Sequence, residues 1–432
     1  MARVLAPGLM CTRARSAVAL AALSALTSGA CGGGQTRGSP FDPGWIDDHG
    51  AGMATFERSF RGTRVSLGAD VAIGVLGKEA LVGAPLDGSA PWTFTHALRG
   101  RPAIAGSVVV ASGGGEIFAL DARSGKLLWS RASGGRVRGA GDDGTTTVVS
   151  LIPIAGFGSV VLAIARDGSV VRQIEDEGAI GVPAVAGDTV FLPWQGRFLS
   201  VYDLPSGDER ARIALPGKVS RALAIGGAIW AGETSITRFD ERLARAGARD
   251  ATTLSLPAPL GGLLGDPAWT RSGTEWVSRE ADARDRAQLL ARPAASGRGF
   301  ARDRFAATFH RAALGFEAQR GALAWARLHD AELIGGAAYE GGFALCDARG
   351  EVTLVDAETG LTTSRVTLGK PIEACVVSAD ALRASPPKGA PRPLAEQIAE
   401  VVGAPDPELA PLRRALAKLG EGAAGSPSAR PE

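Results

Sequence analysis

Cysteine and histidine are the residue types that could most directly ligate a metal or carry redox chemistry, and the chain has four of each. They stand at Cys11, Cys31, Cys346 and Cys375 and at His49, His96, His310 and His329. None of these residues has the close spacing of a zinc or dithiol motif. We therefore expect no metal site and no cofactor.

Two glycine-containing stretches could suggest ion or phosphate binding. Asp142-Asp143-Gly144 has the start of a Ca²⁺ loop, but the acidic series of an EF-hand does not follow, and a loop between repeats accounts for it. Gly113–Gly115 lacks the Lys-Ser/Thr of a phosphate loop, and a hairpin turn explains it. No Gly-x-Ser-x-Gly elbow is present. These patterns predict a protein that is not an enzyme.

Cys31 has a context that points to lipid chemistry. A basic start precedes the apolar stretch 16–26, which is too short to span a bilayer, and small residues at 28–30 lead to Cys31. This layout resembles the bacterial lipoprotein signal, although Ser28 stands where that signal usually has Leu. The resemblance implies removal of residues 1–30 and lipidation of Cys31. An ordinary secretory signal cut near Ala30, leaving a free cysteine, is the alternative.

The elements that form the body are marked by an internal repeat, clearest in Ser107–Trp129. In that unit an acidic residue is followed by Gly four residues on and by Trp eight residues on. Other units keep these offsets in full or in part. The motif residues are Asp121, Gly125, Trp129, Asp203, Gly207, Glu317, Gly321, Trp325, Asp356 and Gly360.

The spacing of the motif indicates a β-propeller. With weaker markers at Asp87, Asp167 and Asp240, the acidic positions lie 34 to 46 residues apart, apart from one gap of 77. Each unit is the length of a four-stranded blade. A degenerate unit near 275–285 would fill the gap, so we predict an all-β propeller of eight blades, with seven as the alternative.

The Ala-Leu-Asp-Ala-x-x-Gly-x-x-x-Trp pattern resembles the pyrroloquinoline-quinone (PQQ)-like repeats of quinoprotein dehydrogenases and of BamB-type outer-membrane assembly lipoproteins. In such a unit the acidic side chain can accept backbone N–H groups of its turn, Gly can adopt positive φ, and Trp can lie between blades. The strand at 371–378 is left over after the last unit, and we expect it to complete the first blade.

The segments outside the ring differ in composition. The tail has helical spacing, with Asp406 as a helix cap and Pro407 at the first position. It could pack on the propeller, bind a partner helix or belong to a longer helical array. The predicted segments are a signal peptide at 1–30, a lipid-anchored tether at 31–62, the PQQ-like propeller at 63–380 with a helical or disordered insertion at about 278–313, a proline-rich linker at 381–393 and a helical tail at 394–420.

The predicted function follows from the resemblance and from the charge balance. A formal net charge of +2 gives no electrostatic reason to expect a nucleic-acid partner. Quinone-dependent dehydrogenases carry an adjacent cysteine pair, which this chain lacks. We therefore predict a non-catalytic scaffold of the cell envelope, anchored to the outer membrane and binding a protein partner, with a role in outer-membrane protein assembly. Ligand or polysaccharide sensing is one alternative and a quinone-dependent dehydrogenase another. For Cys346 and Cys375, free buried thiols are favoured over a disulfide.

Overall fold

The computed structural model describes part of the chain. The described residues are 68–424, without 155–157, 215–217, 226–227, 233–234, 239–250, 255, 265–268, 273–274, 278–286 and 295–299. The predicted signal peptide, the tether with Cys31, and the weak marker Asp240 lie outside them.

The described residues form seven antiparallel four-stranded sheets and one two-stranded sheet, an all-β propeller. Seven is the smaller of the two predicted blade counts. Blades one to three contain β30 (Ala374–Ser378), β1 (Val71–Leu76), β2 (Ala80–Pro85) and β3 (Trp92–Thr95); β4 (Ala103–Ala105), β5 (Val108–Gly113), β6 (Glu116–Asp121) and β7 (Leu127–Ala132); and β8 (Gly135–Asp142), β9 (Thr146–Pro153), β10 (Ser159–Ala165) and β11 (Val170–Asp176).

The remaining blades follow in chain order. They contain β12 (Ala184–Ala186), β13 (Thr189–Trp194), β14 (Phe198–Asp203) and β15 (Glu209–Ala214); β16 (Arg221–Ile225), β17 (Ala228–Gly232), β18 (Ser235–Arg238) and β21 (Glu275–Val277); β22 (Ala287–Pro293), β23 (Phe300–Phe309), β24 (Ala312–Glu317) and β25 (Leu323–Leu328); and β26 (Leu333–Tyr339), β27 (Gly342–Asp347), β28 (Glu351–Asp356) and β29 (Thr362–Thr367). The two-stranded sheet pairs β19 (Ala251–Leu254) with β20 (Trp269–Ser272).

The ring closes through its last strand. β30 pairs with β1, with Cys375 opposite Gly74, so the C-terminal strand is the inner strand of the first blade. The expectation that residues 371–378 complete this blade is confirmed. β30 thereby pairs the edge of β1 that would otherwise be open.

The gap of 77 residues between repeat markers has a different cause from the predicted degenerate blade. β21 pairs with β18, so residues near 275 form the outer strand of the fifth blade. The β19–β20 hairpin and helix α1 (Ala258–Leu264) stand between these two strands in the chain. The extra length therefore lies inside the fifth blade.

The predicted insertion at about 278–313 is wrong over much of its length. Residues from Ala287 onward form β22 and β23, two strands of the sixth blade. The mixed arginine and alanine composition suggested a solvated segment, but Leu289 and Leu290 are buried and Arg292 is buried beside Asp380. Burial of an arginine next to a carboxylate does not disturb a strand, because the charge is paired.

Hydrophobic clusters fill the spaces between adjacent blades. One joins Ile73 and Leu81 of the first blade to Phe118 of the second, and another joins Phe343 of the seventh blade to Trp325 of the sixth. Such face-to-face packing requires strands that are apolar on both faces, which explains the near-continuous apolar runs in the sequence. The propeller therefore buries its core blade against blade.

Two helices follow the ring, α2 (Leu394–Gly403) and α3 (Ala410–Ala424), joined by a 3-10 turn at Pro407–Leu409. Asp406 caps that turn by accepting the N–H of Glu408, and Pro407 takes its first position, as predicted. Leu409 and Leu412 are buried in the cluster that contains Phe305 and Phe316 of the sixth blade. Of the three roles considered for the tail, packing on the propeller is the one observed.

Candidate functional site

A central cavity of about 300 Å³ lies where the inner strands of the blades end. All seven inner strands of the described blades contribute to its wall. Most of the lining side chains are small or aliphatic, including Ala105, Ala140, Ala184, Ala222, Leu289, Ala337 and Val376. The polar side chains of the wall are Asp142, Gln288, Arg292, Ser378 and Asp380.

Asp142 forms one charged point of the cavity. It ends β8, and its fully buried carboxylate accepts Arg166 Nη2 at 2.7 Å, Thr147 Oγ1 at 2.7 Å and the Gly144 N–H at 2.9 Å. Burial raises the pKa of Asp142, and the hydrogen bonds with Thr147 and the charge of Arg166 counteract it. The sequence placed this motif in a loop between repeats, but it forms the hairpin turn between β8 and β9 within one blade.

Asp380, Arg292 and Asp70 form a second charged cluster. Nη1 of Arg292 lies 3.2 Å from Oδ1 of Asp380, and Nη2 donates to the Asp380 carbonyl at 3.1 Å. Asp70 accepts the N–H of Ala381 at 3.0 Å. Burial raises the pKa of both aspartates, and this is partly offset at Asp380 by the Arg292 guanidinium and at Asp70 by the Ala381 N–H. The cluster therefore links the sixth blade to the closing strand while presenting charge to the cavity.

The repeat-motif residues form the turns between the third and fourth strands of their blades. The Asp121 carboxylate accepts the Ser124 N–H at 2.8 Å, and Gly125 has a φ of 69°. Asp356 accepts the Thr359 N–H at 2.9 Å, with Gly360 at a φ of 67°. The other motif glycines, Gly207 and Gly321, also have positive φ.

Tryptophans of the outer strands join two of these turns, those of Gly125 and Gly360, to the preceding blade. Trp325, which is 1% exposed, donates Nε1–H to the Ala357 carbonyl at 2.9 Å across the blade boundary. The Cβ position that Gly360 leaves empty is 2.6 Å from Cδ2 of this ring. Trp92 packs on Gly125 in the same way and donates to the Ala122 carbonyl at 3.1 Å. Trp129 is also buried. These residues have a structural role between blades. The sequence motif did not include Trp92, because its offset from the acidic marker differs.

Cys346 and Cys375 form a disulfide. The expectation of free thiols is therefore wrong. The two residues lie on β27 of the seventh blade and on the closing strand β30, 29 positions apart, and ring closure brings them together. Strand order alone could not reveal this contact, because it spans two blades.

Each histidine in the described part of the chain contacts different groups. His96 hydrogen-bonds Glu116 at 2.5 Å, and His310 lies 3.1 Å from Asp406. His329 is buried, and this burial lowers its pKa to about 3. Within the described ranges no group of three or more metal-ligating side chains occurs. None of the described helices has the length and hydrophobicity that a bilayer span requires.

Sequence reasoning missed the Arg292–Asp380–Asp70 cluster. Arg292 stood in the segment interpreted as an insertion, and Asp380 and Asp70 mark the two ends of the predicted ring without a motif of their own. Their long separation leaves no local signal, since the partners are 88 positions apart in the case of Arg292 and Asp380. Of the cavity's polar residues, only Asp142 attracted attention in the sequence.

Comparison with known proteins relates part of this chain to a described family. Residues 79–229 match the family model described as outer membrane protein assembly factor BamB, a PQQ-repeat model. Over these residues the chain is similar to that family. The match spans the sequence from β2 of blade one to β17 of blade five. No curated protein matches the chain significantly.

Solved structures similar to this chain include BamB from Moraxella catarrhalis, with 18% identity, 70% of this chain and 84% of that chain covered, and a TM-score of 0.37. The Cps50 (Swd1) β-propeller domain of Myceliophteria thermophila shares 13% identity over 66% of this chain and 94% of that one, with a TM-score of 0.39. The computationally designed Ika8 protein shares 13% identity over 72% and 92%, with a TM-score of 0.38.

Proposed function

We propose that this protein is a non-catalytic scaffold of the bacterial cell envelope whose propeller binds a protein partner in outer-membrane protein assembly. The match of residues 79–229 to the BamB model carries the proposal. A propeller suits this role because its blades provide a rigid frame from which many turns present a broad surface.

The proposed attachment is a lipid on Cys31. Small residues precede this cysteine and a glycine-rich stretch follows it, which gives a flexible tether between anchor and propeller. Acyl chains contribute about 0.8 kcal/mol per buried methylene, so the chains of one lipidated cysteine hold a protein at a membrane surface. The protein would then act from the outer membrane, with the propeller in the periplasm or at the cell surface.

The charged groups of the central cavity support a scaffold more than an enzyme. Asp142 is tied to Arg166, and Asp380 is tied to Arg292, so both carboxylates already have a cationic partner. A general base needs a carboxylate free to take a proton from a substrate. The body cysteines are joined to each other across two blades and are not an adjacent pair of the quinoprotein type.

Affinity capture from gently solubilised membranes tests the proposal. The wild-type protein, a Cys31→Ala variant and a Cys11→Ala control would be compared, since Cys11 lies inside the predicted signal peptide. We expect the wild type and the control to recover the β-barrel assembly machinery and Cys31→Ala to recover less of it. Capture of no assembly component by the wild type would contradict the assembly role, and equal capture by Cys31→Ala would contradict the anchor.

A second candidate function is ligand sensing at the central cavity, favoured by its volume of about 300 Å³ and its mixed apolar and charged wall. Thermal-shift titration with quinones and with oligosaccharides would detect such binding, and the same titration of Asp142→Asn would locate it. Saturable stabilisation of the wild type that is lost in the variant would favour sensing over the scaffold.

A further inference from the structure

Ion pairs are unevenly distributed over the two faces of the propeller. On the face with the cavity's charged groups, turn and strand-end arginines pair with aspartates: Arg123 with Asp87, Arg166 with Asp142, Arg210 with Asp203 and Arg292 with Asp380. The opposite face carries the connections that lead from the outer strand of one blade to the inner strand of the next. There Arg311 pairs with Asp406 and Arg349 with Asp330, in blades six and seven, but several cations of blades two to five have no such pair among the described residues.

Five exposed cations lie on these connections or at the start of the inner strand that follows, in blades two to five. We name them the basic arc: Arg99, Arg101, Arg136, Arg138 and Lys218. None of them forms an ion pair with a residue in the described part of the chain. They therefore contribute uncompensated positive charge to this face.

Backbone and side-chain contacts place the first four of these cations side by side. The Arg99 N–H donates to the Ser112 carbonyl at 2.6 Å, and the Ser112 hydroxyl accepts the Val137 N–H at 3.3 Å. The first connection is therefore tied to β8, which carries Arg136 and Arg138. Cδ of Arg136 lies 2.9 Å from the Cβ position that Gly100 leaves empty, so this side chain lies along the connection between blades one and two.

The arc continues toward the fifth blade through Arg138. Its Nη1 donates to the Ile180 carbonyl at 2.9 Å, in the connection between blades three and four. The Val182 N–H of that connection donates to the Ser220 carbonyl at 2.8 Å, two residues after Lys218. The five cations thus follow one another around the inner part of the ring.

The acidic side chains near the arc keep their charge but lie off its connections. Glu116, at the start of β6, hydrogen-bonds His96 and Ser130. Glu175 and Asp176 end the outer strand β11, where they accept Gln173 Nε2 at 2.7 Å and the Gly178 N–H at 2.5 Å. On the described residues of the connections themselves, Glu177 is one acid against the five cations of the arc, which leaves an excess of positive charge there.

We propose that the basic arc is a docking surface for an acidic segment of a protein partner. The inference rests on the proposed scaffold function and specifies the partner's chemistry. Guanidinium groups match carboxylates in a two-pronged geometry, and arginine is enriched in protein interfaces. The contacts of Arg136 and Arg138 hold their side chains in place before binding, which lowers the entropy lost on docking.

An acidic protein segment fits the arc better than an anionic membrane does. Arg136 and Arg138 belong to β8, an inner strand next to the central channel. A flat bilayer would meet the turns that project furthest from the face, whereas an extended segment can follow the inner ring and reach both arginines.

The test compares the wild type with an Arg101→Glu/Arg136→Glu variant and a matched Arg383→Glu/Lys388→Glu control. Arg383 and Lys388 are exposed in the proline-rich segment after the ring, so the control makes the same change in net charge elsewhere. The probes are a labelled peptide of alternating glutamate and alanine, its glutamine counterpart, and phosphatidylglycerol vesicles. Binding would be measured by fluorescence anisotropy and vesicle sedimentation, at low and physiological salt.

We expect the acidic peptide to bind the wild type and the control alike, and the arc variant at least about tenfold more weakly. The glutamine peptide should not bind, and salt should weaken binding of the acidic peptide. Equal weakening in both variants, binding of vesicles in preference to the peptide, or no peptide binding by the wild type would overturn the proposal.

Repeating the membrane capture with the arc variant separates this inference from the proposed function. Undiminished recovery of the assembly machinery by the arc variant would contradict the docking role of the arc and leave the assembly role in place. Loss of peptide binding in the arc variant, together with no assembly machinery captured by the wild type, would support the docking role and contradict the assembly role.

Discussion

A motif glycine and a tryptophan of the preceding blade form a single contact in this propeller. Gly360 needs a positive φ for its turn, and its missing side chain also makes room for the Trp325 ring. The tryptophan then reaches the carbonyl of Ala357, next to the motif Asp356. The motif therefore specifies a turn and the surface onto which the previous blade packs.

Replacing Gly360 by Ala should destabilise the protein more than replacing Gly369 by Ala. Both residues have positive φ, but a Cβ atom at Gly369 would meet open space, whereas one at Gly360 would meet Trp325. The backbone strain costs about 1–2 kcal/mol at either position, and displacement of the ring adds about 1–3 kcal/mol at Gly360. Urea unfolding of the two variants checks this, and equal losses would show that the tryptophan adapts freely.

His329 makes stability depend on pH through its burial. Burial lowers the pKa of His329 to about 3 in the folded protein, below the unfolded value of 6.5. Between these values the unfolded chain binds a proton that the folded chain does not, so stability is complete above about pH 6.5 and falls as the pH decreases toward 3.

The unfolding free energy should therefore fall by about 2 kcal/mol from pH 7 to pH 5 through this residue. A His329→Leu variant should lack this component, and its stability at pH 7 should differ from that of the wild type because the packing changes. Urea unfolding at both pH values measures the difference. An identical pH dependence in the variant and the wild type would show that His329 is not the source.

At the scale of elements, helix α2 covers the outer edge of the sixth blade. The Ala326 N–H of β25 donates to Oε1 of the buried Gln397 at 2.9 Å, and Nε2 of Gln397 donates to the Arg392 carbonyl at 2.8 Å. An edge strand presents unpaired N–H groups that invite pairing with another chain. The glutamine satisfies one such group, and the tail thereby becomes part of the fold.

Replacing Gln397 by Ala should loosen this edge. It leaves the buried Ala326 N–H without an acceptor, at a cost of about 1–3 kcal/mol. Hydrogen exchange should show faster exchange at Ala326 and along α2, and thermal unfolding should shift downward. Glu396→Ala, an exposed neighbour on the same helix, is the control and should change little. Unchanged exchange at Ala326 in the Gln397 variant would exclude the proposed cap.

At the scale of the whole molecule, the closing strand holds the ring together. β30 hydrogen-bonds β1 of its own blade and is joined to the seventh blade by Cys346–Cys375 and to the sixth by Asp380–Arg292. Opening the ring would break contacts in three blades at once. The first and last parts of the propeller are therefore coupled, although they are far apart in sequence.

Removing the disulfide should destabilise the ring without changing its strands. Cross-linking residues 29 positions apart restricts the unfolded chain by about 3–4 kcal/mol in the loop-entropy description. A Cys346→Ala/Cys375→Ala double variant, and the wild type in reductant, should both unfold at lower temperature. Reductant should have no further effect on the double variant. Two reactive thiols in the unreduced, denatured protein would show that no disulfide forms.

The sequence alone determined the features that depend on neighbouring residues. The acidic-glycine-tryptophan spacing identified four-stranded blades of the PQQ-like type, because a tight turn requires its own residues in a fixed order. It also identified the strand left over for closure and the Asp406 cap, since both depend on local pattern.

Tertiary structure decided everything that closure of the ring brings together. The sequence could not show that the extra length lies inside the fifth blade, that Cys346 meets Cys375, or that Arg292 faces Asp380. The basic arc also emerged only when connections of successive blades were placed on one face. These contacts join residues on different blades, and the local backbone preferences that shape a turn carry no information about a partner on another blade.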